Sequence, residues 1–138
     1  MRLEVSRKAD LATRTLIELA VSGVRSKSAD LAGIVGTTPG FLSQVIAPLA
    51  TRGWVSSEPG PTGGYAATVD LDEVSVLEVI EAVEGPTDTG RCVLEDRPCG
   101  GTETCALHVP WTRARASLLE ELADTPLSSL ARSRGTAS

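Results

Sequence analysis

Apolar residues recur along most of this chain three or four positions apart, the spacing that puts them on one face of a helix. Leu11, Thr15, Leu16, Leu19 and Ala20 share such a face over about Arg7 to Val21, and Gly23 is placed to end that helix. A short second helix follows, with Ser28 as N-cap, Leu31, Ile34 and Val35 as its apolar face, and Gly36 after it. Thr38 and Pro39 form a new start signal, an N-cap followed by proline in the first turn. Phe41, Leu42, Val45, Ile46 and Leu49 carry that third helix towards Arg52-Gly53, although Pro48 is expected to kink or shorten it. The period then changes. Trp54 to Ser57 and Tyr65 to Thr68 read as two short strands around a Pro/Gly turn, Glu58 to Gly64.

Two helices joined by a tight glycine-containing break make a helix-turn-helix, and a hairpin directly after it makes a wing. Ser75-Val76-Leu77-Glu78 is a capping box opening a helix with Val76, Val79, Ile80 and Val83, which stops at Gly85-Pro86. About twenty residues without an apolar period follow. The last strong helix begins between Cys105 and Pro110, carries Trp111, Ala114, Leu118, Leu119 and Leu122, and is broken by Thr125-Pro126. Its seam of Trp111, Ala114, Leu118 and Leu122 suits either a core or a dimer interface. Ser128 to Arg132 adds at most a short turn, and the end from Gly135 is expected to fray. The fold class is mainly α with a small β-hairpin, a winged helix-turn-helix with a long C-terminal helix, a dimerisation helix if its seam is an interface. Three segments follow: residues 1–85 as the DNA-binding domain, 86–108 as a ligand-binding loop, and 109–138 as the dimerisation helix and tail.

Composition changes the picture in two ways. Aromatic residues are only 3% of 138, so the core has to be aliphatic. The net charge of −5 speaks against nucleic acid, but its distribution does not: residues 1–52 carry seven basic and four acidic residues, whereas the remainder carries six and fourteen. A basic front on an acidic body suits one DNA-facing surface. No apolar run is long enough to span a bilayer and no signal peptide opens the chain, so a cytoplasmic protein is expected.

The long loop holds the distinctive chemistry. Cys92, Cys99 and Cys105 fall within fourteen residues, and His108, the only histidine, stands three positions further on. Three clustered thiols in a reducing compartment are more simply ligands or sensors than a disulfide framework. Structural zinc usually takes two close pairs, and here only Cys105 and His108 are that close. The wider gaps suit an iron–sulfur cluster, with zinc and reactive thiols as the alternatives. Arg91 and Arg97 nearby favour the thiolate form. Nothing points to catalysis: the glycines around Gly60 lack the lysine and context of a phosphate loop, and the single histidine has no serine or cysteine arranged as a triad partner.

Several stretches together resemble the bacterial winged-helix transcription regulators typified by the iron–sulfur regulator IscR and the nitric-oxide sensor NsrR. They are Met1-Arg2-Leu3, Asp10-Leu11-Ala12-Thr13-Arg14, Phe41-Leu42-Ser43-Gln44, Gly60-Pro61-Thr62-Gly63-Gly64-Tyr65, Val79 to Gly85, and the cysteine loop with Trp111. The resemblance implies a homodimer whose last long helices cross, a palindromic operator, and a cluster on Cys92, Cys99 and Cys105. For the fourth ligand it implies either His108, usually with a 2Fe-2S cluster, or the partner subunit's Asp10 with a 4Fe-4S cluster. The Asp10-Leu11-Ala12 match tips the expectation towards 4Fe-4S. The implied function is a repressor whose operator affinity follows nitric oxide, redox or iron–sulfur status. A zinc-stabilised interaction module without operator binding is the alternative. The chain departs from the family in its DNA-reading parts. Pro59 stands where the wing usually has an arginine, and Thr37 to Ala50 has no charged residue. Base contacts then fall to Thr38, Ser43 and Gln44, and phosphate contacts to Arg2, Arg7, Lys8 and Arg52, with Gly60, Thr62 and Gly63 at the wing. Modest, strongly salt-dependent affinity is expected.

Overall fold

The computed structural model describes residues 3–94, 98 and 105–136, with side chains through 133. The first helix, α1, is Arg7–Ser22. The Ser6 hydroxyl accepts from the Ala9 amide at its start, and Gly23 closes it in the left-handed conformation. It buries eight residues, among them Leu11, Leu16 and Leu19, and is the post around which the body packs. The second helix, α2, is Ser28–Val35. Ser28 is its first residue rather than its cap, and Lys27 holds the cap position without a side-chain bond. Its buried face is Leu31, Ala32 and Val35, which turns Ile34 out to 60% exposure, against expectation.

The third helix, α3, is Pro39–Thr51, with the Thr38 hydroxyl accepting from the Phe41 amide at 3.2 Å. Pro48 neither breaks nor shortens it. The carbonyl that a residue at position 48 would normally engage belongs to Gln44, an exposed residue, where water can replace a lost helix bond. Leu42, Val45, Ile46 and Leu49 all point into the core. The hairpin follows at once: β1, Val55–Glu58, pairs antiparallel with β2, Gly64–Ala67, Val55 opposite Ala67 and Glu58 opposite Gly64. A third segment joins it. Ser26 and Tyr65 exchange two backbone hydrogen bonds of 2.8 Å, fastening the wing to the turn between α1 and α2.

A 3-10 turn at Leu71–Glu73, unforeseen in the sequence, buries Leu71 and leads into α4, Val76–Glu84. The capping box forms as expected: the Glu78 amide donates to the Ser75 hydroxyl at 3.1 Å, and the Ser75 amide to the Glu78 carboxylate at 3.0 Å. The fifth helix, α5, is His108–Ala123, and it buries no residue. The last helix, α6, is Leu127–Thr136, longer than the short turn expected over Ser128 to Arg132, and it still includes Gly135. Its first residue, Leu127, is fully buried in the core with α1, and its amide donates to the Val74 carbonyl at 2.8 Å. The end of the chain therefore completes the core that the amino-terminal helices begin. Leu130 and Ala131 pack against the core beside Leu127, a face of only three apolar residues in a mostly polar segment, which is too short to stand out as a periodic stripe.

Candidate nucleic-acid face and metal centre

The α3 helix carries opposite chemistry on its two sides. Its inner side is aliphatic and buried; its outer side presents Ser43 and Gln44 to solvent, with Thr38 exposed at its start. The Thr38 hydroxyl caps the helix, so its oxygen is partly occupied by a structural bond. Arg52 follows the last turn, with its guanidinium 5.6 Å from the centre of the Trp54 ring. That contact holds a cation where α3 passes into the wing. Arg7 and Lys8 open α1, Arg7 exposed and Lys8 half-buried. Arg2 lies outside the described residues.

The wing is shaped by its glycines. Gly60 and Thr62 are exposed at the tip, but Gly63 is buried, and a Cβ there would collide with the Glu58 carbonyl oxygen. Gly64 has φ +129°, and a Cβ on it would strike the Ser26 carbonyl. One residue that sequence reasoning passed over fixes this geometry. Arg25 donates to the Gly64 carbonyl at 2.9 Å and to the Ser56 hydroxyl at 3.0 Å, and lies 3.6 Å from the Glu58 carboxylate. It sits before α2 and reaches both wing strands. No local pattern marks it, because its partners lie more than thirty positions away.

The expected metal ligands are only partly visible. Cys92 and Cys105 are half-buried, and Cys99 lies outside the described residues. The Leu94 amide donates to the Cys92 sulfur at 3.4 Å, a contact that favours the thiolate and tunes a sulfur ligand. His108 is the first residue of α5, and its amide donates to the Cys105 carbonyl at 3.1 Å. Asp10 lies on α1, half-exposed and paired with Arg14 at 2.9 Å. Among the described residues, no group of three or more histidine, cysteine, aspartate or glutamate side chains stands close enough to hold a metal ion. The chemistry of the donors nevertheless fits a thiolate-bound group: two thiols and an imidazole flank one loop, and one sulfur already accepts an amide.

The loop is pinned at its entry. The Glu81 carboxylate on α4 accepts from the Thr87 amide at 2.8 Å. Asp88 accepts from the Gly90 amide at 3.0 Å and lies 3.3 Å from Arg115 on α5. Because α4 also packs on α1 and α3, its side chains join the cysteine loop to the helices that build the outer face of α3. The seam residues Trp111 and Leu122 are half-exposed, and Ala114 and Leu118 are exposed. No helix among the described residues is long and apolar enough to cross a membrane.

Comparison with known proteins agrees with this architecture. Residues 5–133 match the family model described as Rrf2, iron-dependent transcriptional regulator. A Mycobacterium tuberculosis protein named as an HTH-type transcriptional regulator, Rv1287, is 34% identical over 132 residues, covering 94% of this chain and 81% of its own length. The HTH-type transcriptional regulator IscR of Photorhabdus laumondii is 37% identical over 83 residues, 60% of this chain and half of that relative. The solved structure of CymR, the global cysteine regulator of B. subtilis, superposes with a TM-score of 0.74 at 26% identity, covering 95% of this chain and 98% of CymR. These relatives are named as regulators rather than enzymes, and the CymR structure superposes over nearly the whole chain. The chain belongs to the Rrf2 family of winged-helix, DNA-binding transcriptional regulators.

Proposed function

We propose that this regulator is a homodimeric repressor whose operator affinity is set by an iron–sulfur cluster on Cys92, Cys99 and Cys105. The observation that carries the reading is the placement of the thiols. Cys92 follows a segment tied to α4 and α5, its sulfur accepts the Leu94 amide, and Cys105 runs directly into α5. The family description as iron-dependent supports it. When bound, a cluster would supply a fastening for the loop that nitric oxide, oxygen or iron shortage can undo. The chain's own residues do the rest. Glu81 and the Asp88–Arg115 pair hold the loop against α4 and α5, and α4 packs on the recognition helix α3. A change in the loop shifts the population between two dimer geometries, and with it the spacing of the two α3 helices. A symmetric dimer reads a palindrome with half-sites about one helical turn apart.

Two residues suit the fourth ligand position. His108 stands one turn beyond Cys105, and the partner subunit's Asp10 would make the site span the dimer. Asp10 would have to share or release Arg14, which it engages at 2.9 Å. The Asp10 arrangement goes with 4Fe-4S and the His108 arrangement with 2Fe-2S. Mössbauer spectra of anaerobically purified wild type, Asp10→Ala and His108→Ala read nuclearity and ligation together. Brown protein whose cluster spectrum changes in one of the two variants is the expected result. Colourless protein carrying stoichiometric zinc, with both variants unchanged, would overturn the cluster.

A further inference from the structure

The outer face of α3 has an unusual make-up for a surface that meets DNA. Gly40, Gln44, Ala47 and Thr51 are four, three and four positions apart, so they line one side of the helix, with Ser43 beside them. All five are exposed and none is charged. The Thr51 hydroxyl donates to the Ala47 carbonyl at 3.0 Å, so its hydrogen is committed to the helix, while its methyl group belongs to the exposed residue. Gly40 has no role in the fold that a larger residue would spoil. Its φ is not in the left-handed region, and a Cβ there meets nothing within 4 Å. In a helix, glycine without a steric reason costs stability relative to alanine. At this position it removes bulk from the surface the helix turns outward at its start.

The major groove can be read only with the chemistry a protein brings to it. Guanine is singled out by arginine or lysine bonding to O6 and N7, and cytosine by a carboxylate accepting from N4. This face has neither. A glutamine amide matches adenine N6 and N7, and small apolar groups match the thymine methyl. We infer that α3 reads A·T pairs: Gln44 bonds an adenine in each half-site, and the methyl groups of Ala47 and Thr51 meet thymine methyls, with Gly40 letting the start of the helix lie close to the groove. This rests on α3 being the helix that enters the major groove.

Selection from a randomised duplex pool tests it, using the full chain purified anaerobically and again after metal removal, since only one form need bind tightly. Wild type, Gln44→Arg, Gln44→Ala and Gly40→Ala are compared. Gly40→Ala serves as a folding control, because the added methyl has open space and favours the helix. The expected half-site has A·T pairs at the positions read by α3. Gln44→Ala should lose the preference at one pair per half-site, about 10-fold in affinity, and Gln44→Arg should move that pair from A·T to G·C. Replacing thymine by uracil at the neighbouring pairs should weaken wild type. Gly40→Ala should melt no lower than wild type yet bind less tightly. A wild-type preference for G·C at the pair that responds to Gln44 would overturn the A·T reading while leaving α3 in the groove. Position-44 variants that select the same sequence as wild type would overturn both.

Discussion

The two sixteen-residue helices of this molecule, α1 and α5, have the same length and opposite surroundings. The first buries eight residues and packs against α2, α3, α4, α6 and β2; the second buries none and packs against α4. Both carry apolar residues at helical spacing, but those of α1 are gathered on one side more strongly than those of α5, and the contrast has a second part. It lies in what each face meets. Leu16 on α1 is fully buried in the core, while Leu118 on α5 remains 44% exposed although it lies on the apolar seam of Trp111, Ala114 and Leu122. An apolar seam that its own subunit covers only in part suits contact with a partner. Within the proposed function that partner is the α5 of a second copy. The first helix then sets the stability of each subunit, and the second sets its assembly.

The largest effect should come from Leu16→Ala. Deleting a fully buried leucine side chain costs about 2–5 kcal/mol, and denaturant unfolding should show that loss at every protein concentration. Leu118→Asp should leave the subunit core intact but weaken self-association by about 100-fold, because the partner's apolar seam would bury an unpaired carboxylate. Sedimentation reads this directly, and the wild-type unfolding midpoint should rise with concentration where the variant's does not. If wild type sediments as a monomer at all concentrations, the contrast between the two helices needs another cause. Ser75→Ala removes one half of the capping box and should lower subunit stability by about 1 kcal/mol. The smallest effect should come from Arg115→Ala. A surface pair with Asp88 contributes about 0–1 kcal/mol, so global unfolding should barely change, while hydrogen exchange of the Thr87 to Gly90 amides should speed up as the loop loosens.

The helix-turn-helix and wing were legible because their signals are local. Thr38-Pro39 starts α3, Ser75 and Glu78 cap α4, and glycines mark the ends of α1 and α2. Local reasoning erred where a residue's effect depends on which side of a helix it occupies. Pro48 is expected to kink or shorten α3, yet the helix runs three residues beyond it to Thr51, and the residue whose carbonyl loses its partner, Gln44, is exposed. Ile34 was assigned inward, but Ala32 takes that place. What sequence could not show was long-range: Arg25 bracing the wing, and Leu127 returning from the end of the chain to close the core. The cysteine loop was legible as chemistry rather than as geometry. Its residue types announce soft ligands, but Cys99 lies outside the described residues and no three donors gather among the others, so the proposed ligand set rests on composition and spacing.

Operator affinity measured on one preparation, first as purified anaerobically and then after its metal has been removed, tests the central claim most directly. The duplex would be a palindrome obtained by selection, and the salt concentration would be held fixed. Brown protein and a change in Kd of about 10-fold or more between the two forms are expected, equal to a bias of about 1.4 kcal/mol on the dimer geometry. Equal affinity in both forms would contradict the claim.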